Sequence, residues 1–358
     1  MVFKFIIQAF DTQCRTLFVK LTNPMKKALP LLALSMLLAS ACVRHSQPIR
    51  LQGETQGTYY NIAYYSPTEQ DMLPIVQSVL DQFDTTANLW VENSLIRKVN
   101  RHEDNHINPI FYNLVVKSQE IEEYTHGAFN CKIGSLVNLY GFGFKNRDDI
   151  TDQQVDSLLN LISQGSCHAD DTTLTVTLSP GIELDFNAIA QGFTVDQMAQ
   201  EFHSHGIEDY LIDVGGEVIA HGRKADGSAW TVGIERPSPD KYSDREIETA
   251  IRLEDRAVVT SGNYRKYYEH DGIRYSHTID PATGRPVNHS LLSVSVVSSN
   301  AWYADAMATA FMVMGLDKSL QFIHDHPDDP DIQAVFFIYD DHGTYKTHAT
   351  PEFQKLIK

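Results

Sequence analysis

Cysteine is scarce in this chain of 358 residues, which holds four in all. The two that follow Cys42 are Cys131 and Cys167, which form no CxxC pair and have no zinc-ligand spacing. This scarcity excludes a cysteine-based zinc module and a dithiol redox motif. In an exported protein the two would form one disulfide or remain as buried thiols, and their spacing leaves both alternatives open.

Positive charge is also deficient, with 29 Lys and Arg against 46 Asp and Glu and a formal charge of −17. Proteins that bind nucleic acid or anionic lipid electrostatically carry a basic surface, so the composition excludes both as electrostatic partners. An anionic ligand would need a local cation to bind here. The hydrophobic residues, 42% of the chain, are ample for a sizeable core.

The apolar run Ala28–Leu38 is too short to span a bilayer as a mature helix. It follows the basic pair Lys26-Lys27 and precedes Ala39-Ser-Ala-Cys42, the pattern of a lipoprotein signal. We therefore predict a signal region at 1–41, with translation starting at Met25 and lipid on Cys42. The alternatives are a genuine long basic segment before the signal and an ordinary cleavage that leaves Cys42 unmodified.

The predicted mature protein consists of a lipidated tether at 42–49 and one folded domain at 50–358. Removing residues 1–41 leaves 24 Lys and Arg and 45 Asp and Glu, a formal charge of −21. A body with this negative charge cannot bind an anionic membrane electrostatically. We therefore expect membrane association to depend on the lipid.

Hydrophobic periodicity in the body predicts mixed helices and strands without strict βαβ alternation, which favours the α+β class. The predicted helices are 68–83, 108–126, 152–163, one capped by Asn187 and stopped by Gly206, 301–314 and 317–326. The predicted strands are 57–65, 174–178, 209–213, 217–220, 230–233, 247–253, 257–259, 292–297 and 333–339.

One histidine pair matches a metalloprotease pattern by letter, because His102-Glu-Asp-Asn-His106 is an HExxH sequence. That pattern requires a helix with an apolar side. The surrounding segment is almost wholly polar and leads into Pro109, so we predict a solvated loop instead of a zinc site.

A stronger signal comes from Asp305 and Thr309, which are four residues apart in an apolar run predicted as helix and so share one face. Two hard oxygen ligands on one face suit Mg²⁺, which usually completes its shell with substrate phosphates. The alternative is an ordinary polar stripe on a surface helix. Upstream, His277 precedes a Pro/Gly turn, Asp280-Pro-Ala-Thr-Gly284, that would present it.

The order of these motifs resembles the ApbE family, the Mg²⁺-dependent FAD:protein FMN transferases. The likeness runs from about Gln56 to Gly315. The segments that carry it are Gly127-Ala-Phe-Asn130, Gly134–Gly143, Leu184–Asp196, Asp213-Val-Gly-Gly-Glu217, Thr260-Ser-Gly-Asn-Tyr264, His277–Gly284 and Ala304–Ala310. The resemblance implies a T-fold-related architecture with mixed and antiparallel sheets.

The resemblance also implies roles for individual residues. Asp305 and Thr309 would be side-chain Mg²⁺ ligands, with the backbone carbonyl of Ala188 as a third, and His277 would be the general base. The implied FAD-binding positions are Gln56, Trp90, Ala128, Phe129, Asn130, Asp185, Gln191 and Thr278. Trp90 would stack on the flavin ring, the alternative being a core tryptophan, and Asp185 has a helix-leading cap as its alternative.

The chain departs from the family pattern at three of these positions. The family commonly has Asp at Asn130, Lys at Gln191 and Met at Gln56. Losing the lysine removes a cation that would hold a phosphate, and Asn130 removes a nearby negative charge, so the two changes partly compensate.

The implied activity is transfer of FMN from FAD to a Thr or Ser hydroxyl of an acceptor protein, releasing AMP. Two alternatives remain open: a Mg²⁺-dependent FAD pyrophosphatase that yields FMN and AMP, and a non-catalytic FAD-binding lipoprotein. The implied acceptors carry an Asp-x-x-Ser/Thr-Gly-Ala-Ser/Thr motif, as in subunits of Na⁺-pumping NADH:quinone reductase or Rnf-type complexes. We expect an exported lipoprotein that faces the periplasm, anchored in the inner membrane.

Overall fold

A computed structural model describes residues 47–141, 150–237, 246–263, 267–270, 273–276 and 278–358. The predicted signal region, Cys42, most of the predicted tether and His277 lie outside these residues. Residues 47–358 belong to one compact unit. Among the described helices, none is long and apolar enough to cross a membrane.

Helices and strands alternate irregularly along the described chain. The helices are α1 (Leu73–Ala87), α2 (Leu95–Asn100), α3 (Pro109–Tyr124), α4 (Gly134–Leu139), α5 (Asp152–Gln164), α6 (Ala190–Ser204), α7 (Ala301–Met314), α8 (Leu316–Asp325) and α9 (Pro351–Gln354). The strands of the main sheet are β1 (Ile49–Thr55), β2 (Thr58–Tyr65), β5 (Asp209–Val214), β6 (Glu217–His221), β9 (Arg256–Gly262), β14 (Leu291–Ser298), β15 (Ala334–Asp341) and β16 (Thr344–Ala349). The remaining strands form two-stranded pairs: β3 (Cys167–Asp170) with β4 (Thr175–Leu178), β7 (Trp230–Glu235) with β8 (Ile247–Leu253), β10 (Tyr267–His270) with β11 (Ile273–Ser276), and β12 (Ile279–Asp280) with β13 (Arg285–Pro286).

The main sheet has eight strands in the order β1-β2-β5-β6-β9-β14-β15-β16, and every neighbouring pair is antiparallel. Its two faces are both covered. In β9, Ala257 and Val259 point into the larger core with α6 and α7, whereas Val258 points into a second core beneath the β7–β8 pair and α9. Successive side chains of β9 thus alternate between the two cores, as expected for a strand that is buried on both faces. An antiparallel sheet with segregated helices confirms the predicted α+β class.

Most strongly periodic segments form the predicted elements, but helix starts depend on context. The predicted cap at Asn187 is wrong, because α6 begins after Ile189 and the Asn187 backbone N–H instead donates to Asp185 Oδ1 at 2.8 Å. The helix predicted from residue 68 begins at Leu73, where Pro74 fits the first turn. The sequence did not predict β1, β3, the four short strands β10 to β13, β16, α2, α4 or α9.

The HExxH segment is a loop, as predicted: His102 and His106 are exposed and outside any helix, and His106 Nδ1 lies 3.0 Å from Asp104 Oδ1. Cys131 and Cys167 are free, buried thiols, so the disulfide alternative is wrong. Burial raises the pKa of Cys167 to about 11 and raises that of Cys131 further.

Candidate active site at the crossing of α6 and α7

The Asp305 carboxylate lies on α7 and is buried, with 5% of its surface exposed. Its Oδ2 accepts the backbone N–H of Gly192, on α6, at 3.1 Å. Within the described residues, no Lys, Arg or His forms an ion pair with this carboxylate. The surface-stripe alternative is therefore wrong, because Asp305 faces the core side of α7.

Gly192 permits this contact because it has no side chain. A Cβ atom at this position would lie 2.4 Å from the Ala301 carbonyl oxygen and 2.9 Å from Asp305 Cβ. The backbones of α6 and α7 therefore meet at Gly192. Here glycine is required by the close approach of the two helices and not by an unusual backbone angle.

Asp196 lies one turn after Gly192 on α6 and caps the start of α7. Its Oδ1 accepts the N–H of Ala301 at 3.0 Å, and its Oδ2 accepts the N–H of Trp302 at 2.8 Å. These two donors are among those that no helical carbonyl can reach, so the carboxylate satisfies them and interacts favourably with the helix dipole. Asp196 thereby fixes the end of the helix that carries Asp305.

Both carboxyls have raised pKa values. Burial raises the pKa of Asp196 to about 6, against the lowering effect of the two N–H donors on α7. Burial also raises the pKa of Asp305, and the negative charge of Asp196 raises it further, while the Gly192 N–H opposes the shift. The negative charge of Asp196 thus acts on Asp305, while the positive charge of Lys117 lowers the pKa of Asp196 and offsets part of the effect of its burial.

Thr309 lies one turn after Asp305 on α7, as the spacing predicted. Its Oγ1 is 3.3 Å from Oγ of Ser261 on β9, so a second hydroxyl lies at the same place. Ala188, the predicted backbone ligand, lies in the turn that leads into α6, four residues before Gly192.

These residues fit a hard divalent cation. The donors are a carboxylate, two hydroxyls and a backbone carbonyl, all oxygen ligands of the kind that Mg²⁺ prefers. A buried carboxylate without a cation is costly, and a bound cation would remove that cost and lower the pKa of Asp305. Asp305, Thr309 and the Ala188 carbonyl are therefore the residues that would hold the ion, with Ser261 beside them.

Two predicted FAD-binding glutamines, one in the β1–β2 turn and one at the start of α6, lie at one end of the sheet. Gln56 is in the β1–β2 turn with φ of 50°, and both its side-chain polar atoms are buried without a hydrogen-bond partner. A buried amide left unpaired is costly, so the position suits a polar ligand. Gln191 Nε2 lies 2.9 Å from where a Cβ of Gly215 would be, next to Thr58. The β1–β2 turn, the β5–β6 turn and the start of α6 therefore meet here.

The Val214-Gly-Gly216 segment forms the turn between β5 and β6, with φ of 67° at Gly215 and 113° at Gly216. The Gly216 N–H donates to Asp213 Oδ1 at 3.0 Å. A cavity of about 300 Å³ opens beside both glycines and extends to Thr260. The two glycines thus form a tight turn whose backbone borders an open cavity.

A second group of predicted residues lies where the chain enters α6. Asp185 is buried, its N–H donates to the Cys131 carbonyl at 2.8 Å, and its Oδ1 holds the Asn187 N–H. This contact brings Asp185 beside Asn130, whose side chain donates to Glu122 Oε1 at 2.9 Å and accepts the Lys132 N–H at 2.8 Å.

The neighbouring Phe129 is 2% exposed over the whole residue, and its N–H donates to Thr125 Oγ1 at 3.1 Å. Ala128 is half-buried, and its N–H donates to the Thr125 carbonyl at 3.2 Å. Both N–H groups are thus used within the fold, and nucleotide binding at these two positions stays a prediction.

Trp90 is 64% exposed in the loop between α1 and α2, so its core alternative is wrong. An exposed indole can stack on a flat ligand, and stacking of Trp90 on the flavin stays a prediction.

The turn that follows Thr278 has the predicted form. Asp280 Oδ1 accepts the Ala282 N–H at 2.8 Å, and Gly284 has φ of 65°. The Thr278 carbonyl accepts the Val287 N–H at 3.0 Å, closing the β12–β13 pair. The predicted base, His277, precedes this turn and lies outside the described residues.

The fold and site define a class: an α+β protein with a buried oxygen-ligand site between two helices. A model of the ApbE family matches residues 56–336, and the chain belongs to that family. Among curated relatives, the FAD:protein FMN transferase of Vibrio cholerae serotype O1 is 32% identical over 332 residues, covering 90% of this chain and 97% of its own.

Solved structures agree. Flavin transferase ApbE from Vibrio cholerae has a TM-score of 0.74 and 30% identity, covering 87% of this chain and 99% of its own. The apo form of Pseudomonas stutzeri flavinyl transferase ApbE has a TM-score of 0.74 and 28% identity, covering 87% and 96%. The predicted family and ApbE-like architecture are confirmed, and the chain is an enzyme of the transferase class.

Three residues of the site were not assigned by the sequence: Gly192, Asp196 and Ser261. Gly192 and Asp196 lie in the family-like segment Leu184–Asp196, where a glycine and an acid four apart on a helix were the available signal. Ser261 lies within the Thr260-Ser-Gly motif. The contacts of these three residues with α7 became visible only in the structure.

Proposed function

We propose that this enzyme transfers FMN from FAD to a Thr or Ser hydroxyl of an acceptor protein and releases AMP, with Mg²⁺ bound at Asp305. The observation that carries the proposal is the buried Asp305 carboxylate, with no cation paired to it among the described residues, one turn from Thr309. The family supports the reaction, because its curated relatives bear the name FAD:protein FMN transferase.

In the proposed reaction the acceptor hydroxyl oxygen forms a bond to the FMN phosphorus, and the bond from that phosphorus to the AMP oxygen breaks. The hydroxyl proton passes to His277, as the family resemblance implies, and AMP leaves. Bound Mg²⁺ would neutralise the negative charge of the pyrophosphate.

The chain's own residues position this chemistry. Asp196 holds the start of α7, Gly192 orients Asp305 through its N–H, and Thr309 with Ser261 supplies neutral oxygens at a fixed distance. Preorganisation of this kind lowers the barrier because few groups reorganise during the reaction. Gln56 and Gln191 would provide neutral hydrogen bonds to the nucleotide.

The test is incubation with FAD, Mg²⁺ and an acceptor domain that carries the Asp-x-x-Ser/Thr-Gly-Ala-Ser/Thr motif, read as covalent flavin fluorescence in a denaturing gel. Asp305→Ala should abolish transfer, because it removes the one negatively charged side chain among the proposed ligands of the ion. Asp317→Ala is the matched control, since Asp317 is an exposed acid on the adjacent helix α8. Full transfer by Asp305→Ala that resists chelator would place the reaction elsewhere.

Two further variants separate the proposed roles. Thr309→Ala should slow transfer and recover partly at high Mg²⁺, because the hydroxyl completes the geometry of the ion. His277→Ala should lose about 10²–10⁴ in rate, keep FAD bound and gain nothing from added Mg²⁺.

Chromatography of FMN and AMP without acceptor distinguishes the alternatives. Rapid acceptor-independent release would indicate a pyrophosphatase, and bound FAD without any turnover would indicate a storage protein.

We also propose that the protein is exported and anchored through lipid on Cys42, facing the periplasm at the inner membrane. The Ala39-Ser-Ala-Cys42 pattern and the acidic body support this location. Subunits of Na⁺-pumping NADH:quinone reductase or Rnf-type complexes are the acceptors we propose.

A further inference from the structure

We propose that His203, Glu208 and His221 form a second metal site, specific for a borderline divalent transition metal such as Zn²⁺ and separate from the Mg²⁺ site. His203 is in the last turn of α6, Glu208 precedes β5, and His221 ends β6. One ligand atom from each residue lies within 4.8 Å of the other two.

The geometry of the three ligands is close to that of a tetrahedral ion. Glu208 Oε2 lies 3.3 Å from His203 Nδ1 and 3.8 Å from His221 Nδ1. Metal–ligand distances of about 2.0–2.2 Å in a tetrahedron separate ligand atoms by roughly 3.3–3.5 Å. The present spacing therefore needs only small side-chain movements to receive an ion.

The second nitrogen of each imidazole is held by another group, as in metal-binding histidines. His203 Nε2 shares a hydrogen bond of 3.0 Å with the Tyr210 hydroxyl, and Tyr210 is itself buried. His221 Nε2 lies 3.5 Å from Asp255 Oδ1. His203 Nδ1 thus faces the Glu208 carboxylate at 3.3 Å, whereas His221 Nδ1 lies nearer the Glu208 carbonyl oxygen than the carboxylate. The two ring planes are nearly perpendicular at 89°.

Binding would change the tautomer of His221. In the described structure the His221 Nδ1 and the Glu208 carbonyl oxygen are 2.6 Å apart, so Nδ1–H donates there. With an ion on the Nδ1 lone pair, the single ring proton lies on Nε2, where it faces Asp255 Oδ1. A cavity of about 440 Å³, lined by both histidines, Tyr210 and Asp255, gives water access to the fourth position.

The ligand type separates this site from the one at Asp305. Two imidazoles and one carboxylate select Zn²⁺, Ni²⁺ or Co²⁺, whereas Mg²⁺ prefers oxygen ligands alone. His203 and Gly192 are eleven residues apart on α6, about 16 Å along the helix. An ion here would link the end of α6 to the β5–β6 hairpin without touching the proposed reaction.

The experiment is titration of the protein with Zn²⁺ in excess Mg²⁺, by calorimetry, and with Co²⁺, by visible absorption. We expect one Zn²⁺ per chain and the intense visible bands of a tetrahedral Co²⁺ site. His221→Ala and Glu208→Gln should weaken binding by at least about 100-fold, and Tyr210→Phe by roughly 10–100-fold. Flavin transfer should be unchanged in His221→Ala and Glu208→Gln.

His342→Asn is the control, because it removes a fully exposed histidine elsewhere and keeps a residue that tolerates the positive φ of 54°. Glu208 has 65% of its side chain exposed, so Glu208→Gln tests the site without risk to folding. The proposal fails if the unaltered protein binds no Zn²⁺ in excess Mg²⁺. It fails equally if Glu208→Gln and His342→Asn bind alike, which would indicate non-specific binding by surface histidines.

Discussion

The substitution Asp305→Asn should stabilise the metal-free protein and at the same time abolish flavin transfer. In the folded chain the carboxylate is buried, has no cation among the described residues and faces the charge of Asp196. Asparagine has almost the same volume, and its Oδ1 can still accept the Gly192 N–H. The variant therefore removes the charge and leaves the packing in place.

The magnitude follows from the raised pKa. A carboxyl whose pKa rises from 3.8 to about 7 lowers the free energy of unfolding by up to roughly 4 kcal/mol once it ionises in the native state. The new amide N–H without a partner costs about 1–3 kcal/mol. We therefore expect Asp305→Asn to raise the free energy of unfolding by about 2 kcal/mol near pH 8.

The pH dependence has a definite sign. Because the pKa of Asp305 is higher folded than unfolded, the native state binds more protons in the window above the unfolded value of 3.8. Wild-type stability is thus lost as pH rises through this window, whereas the cost of the new amide is the same at every pH. Asp305→Asn should therefore change from roughly 2 kcal/mol less stable than wild type at about pH 4 to about 2 kcal/mol more stable near pH 8.

Denaturant unfolding in chelator at several pH values measures the gap, with Asp317→Asn as the control that should show none. Added Mg²⁺ should stabilise the wild type and not Asp305→Asn. An equal gap at low and high pH, or a less stable variant throughout, would refute the reasoning.

Three other predictions concern packing, flavin and membrane. Gly192→Ala should lower the free energy of unfolding by about 1–3 kcal/mol and transfer with it, because the added Cβ meets the Ala301 carbonyl; denaturant titration and gel fluorescence measure both. Trp90→Ala should weaken FAD binding more than it slows saturated turnover, with an unchanged free energy of unfolding, since the indole is 64% exposed; unchanged FAD affinity would disprove stacking. Cys42→Ser should give a soluble, active protein on cell fractionation, because the acidic body has no other means of holding a membrane; membrane retention of this variant would contradict the lipid anchor.

Local pattern predicted most of the helices and the shared helix face of Asp305 and Thr309. These two residues share a face because the i, i+4 geometry depends only on the helix. The strands of the main sheet with clear periodicity were also predictable. The strands β1 and β16, at the two edges of the sheet, were not.

Features that depend on tertiary contacts could not be predicted from the sequence. Asp196 caps a helix that begins 105 residues later, and Gly192 is constrained by the backbone of that same helix. Asn187 has a side chain typical of a helix cap, but α6 begins only after Ile189, and Asn187 lies in the turn before it. The roles of Asp196 and Gly192 are thus set by contacts with α7 and not by the local propensity of α6.

The two buried thiols can be used to measure local opening of the fold, because each reacts only when it becomes exposed. Cys131 and Cys167 are the only cysteines after Cys42, and their high pKa values leave almost no thiolate while the fold is closed. Cys131 is buried and its carbonyl accepts the Asp185 N–H, so we expect alkylation of this thiol to require opening of the segment around Asp185. The rate of Cys131 alkylation would therefore report how often the segment around Asp185 opens. The decrease in that rate on adding FAD would measure how strongly the nucleotide stabilises the closed form.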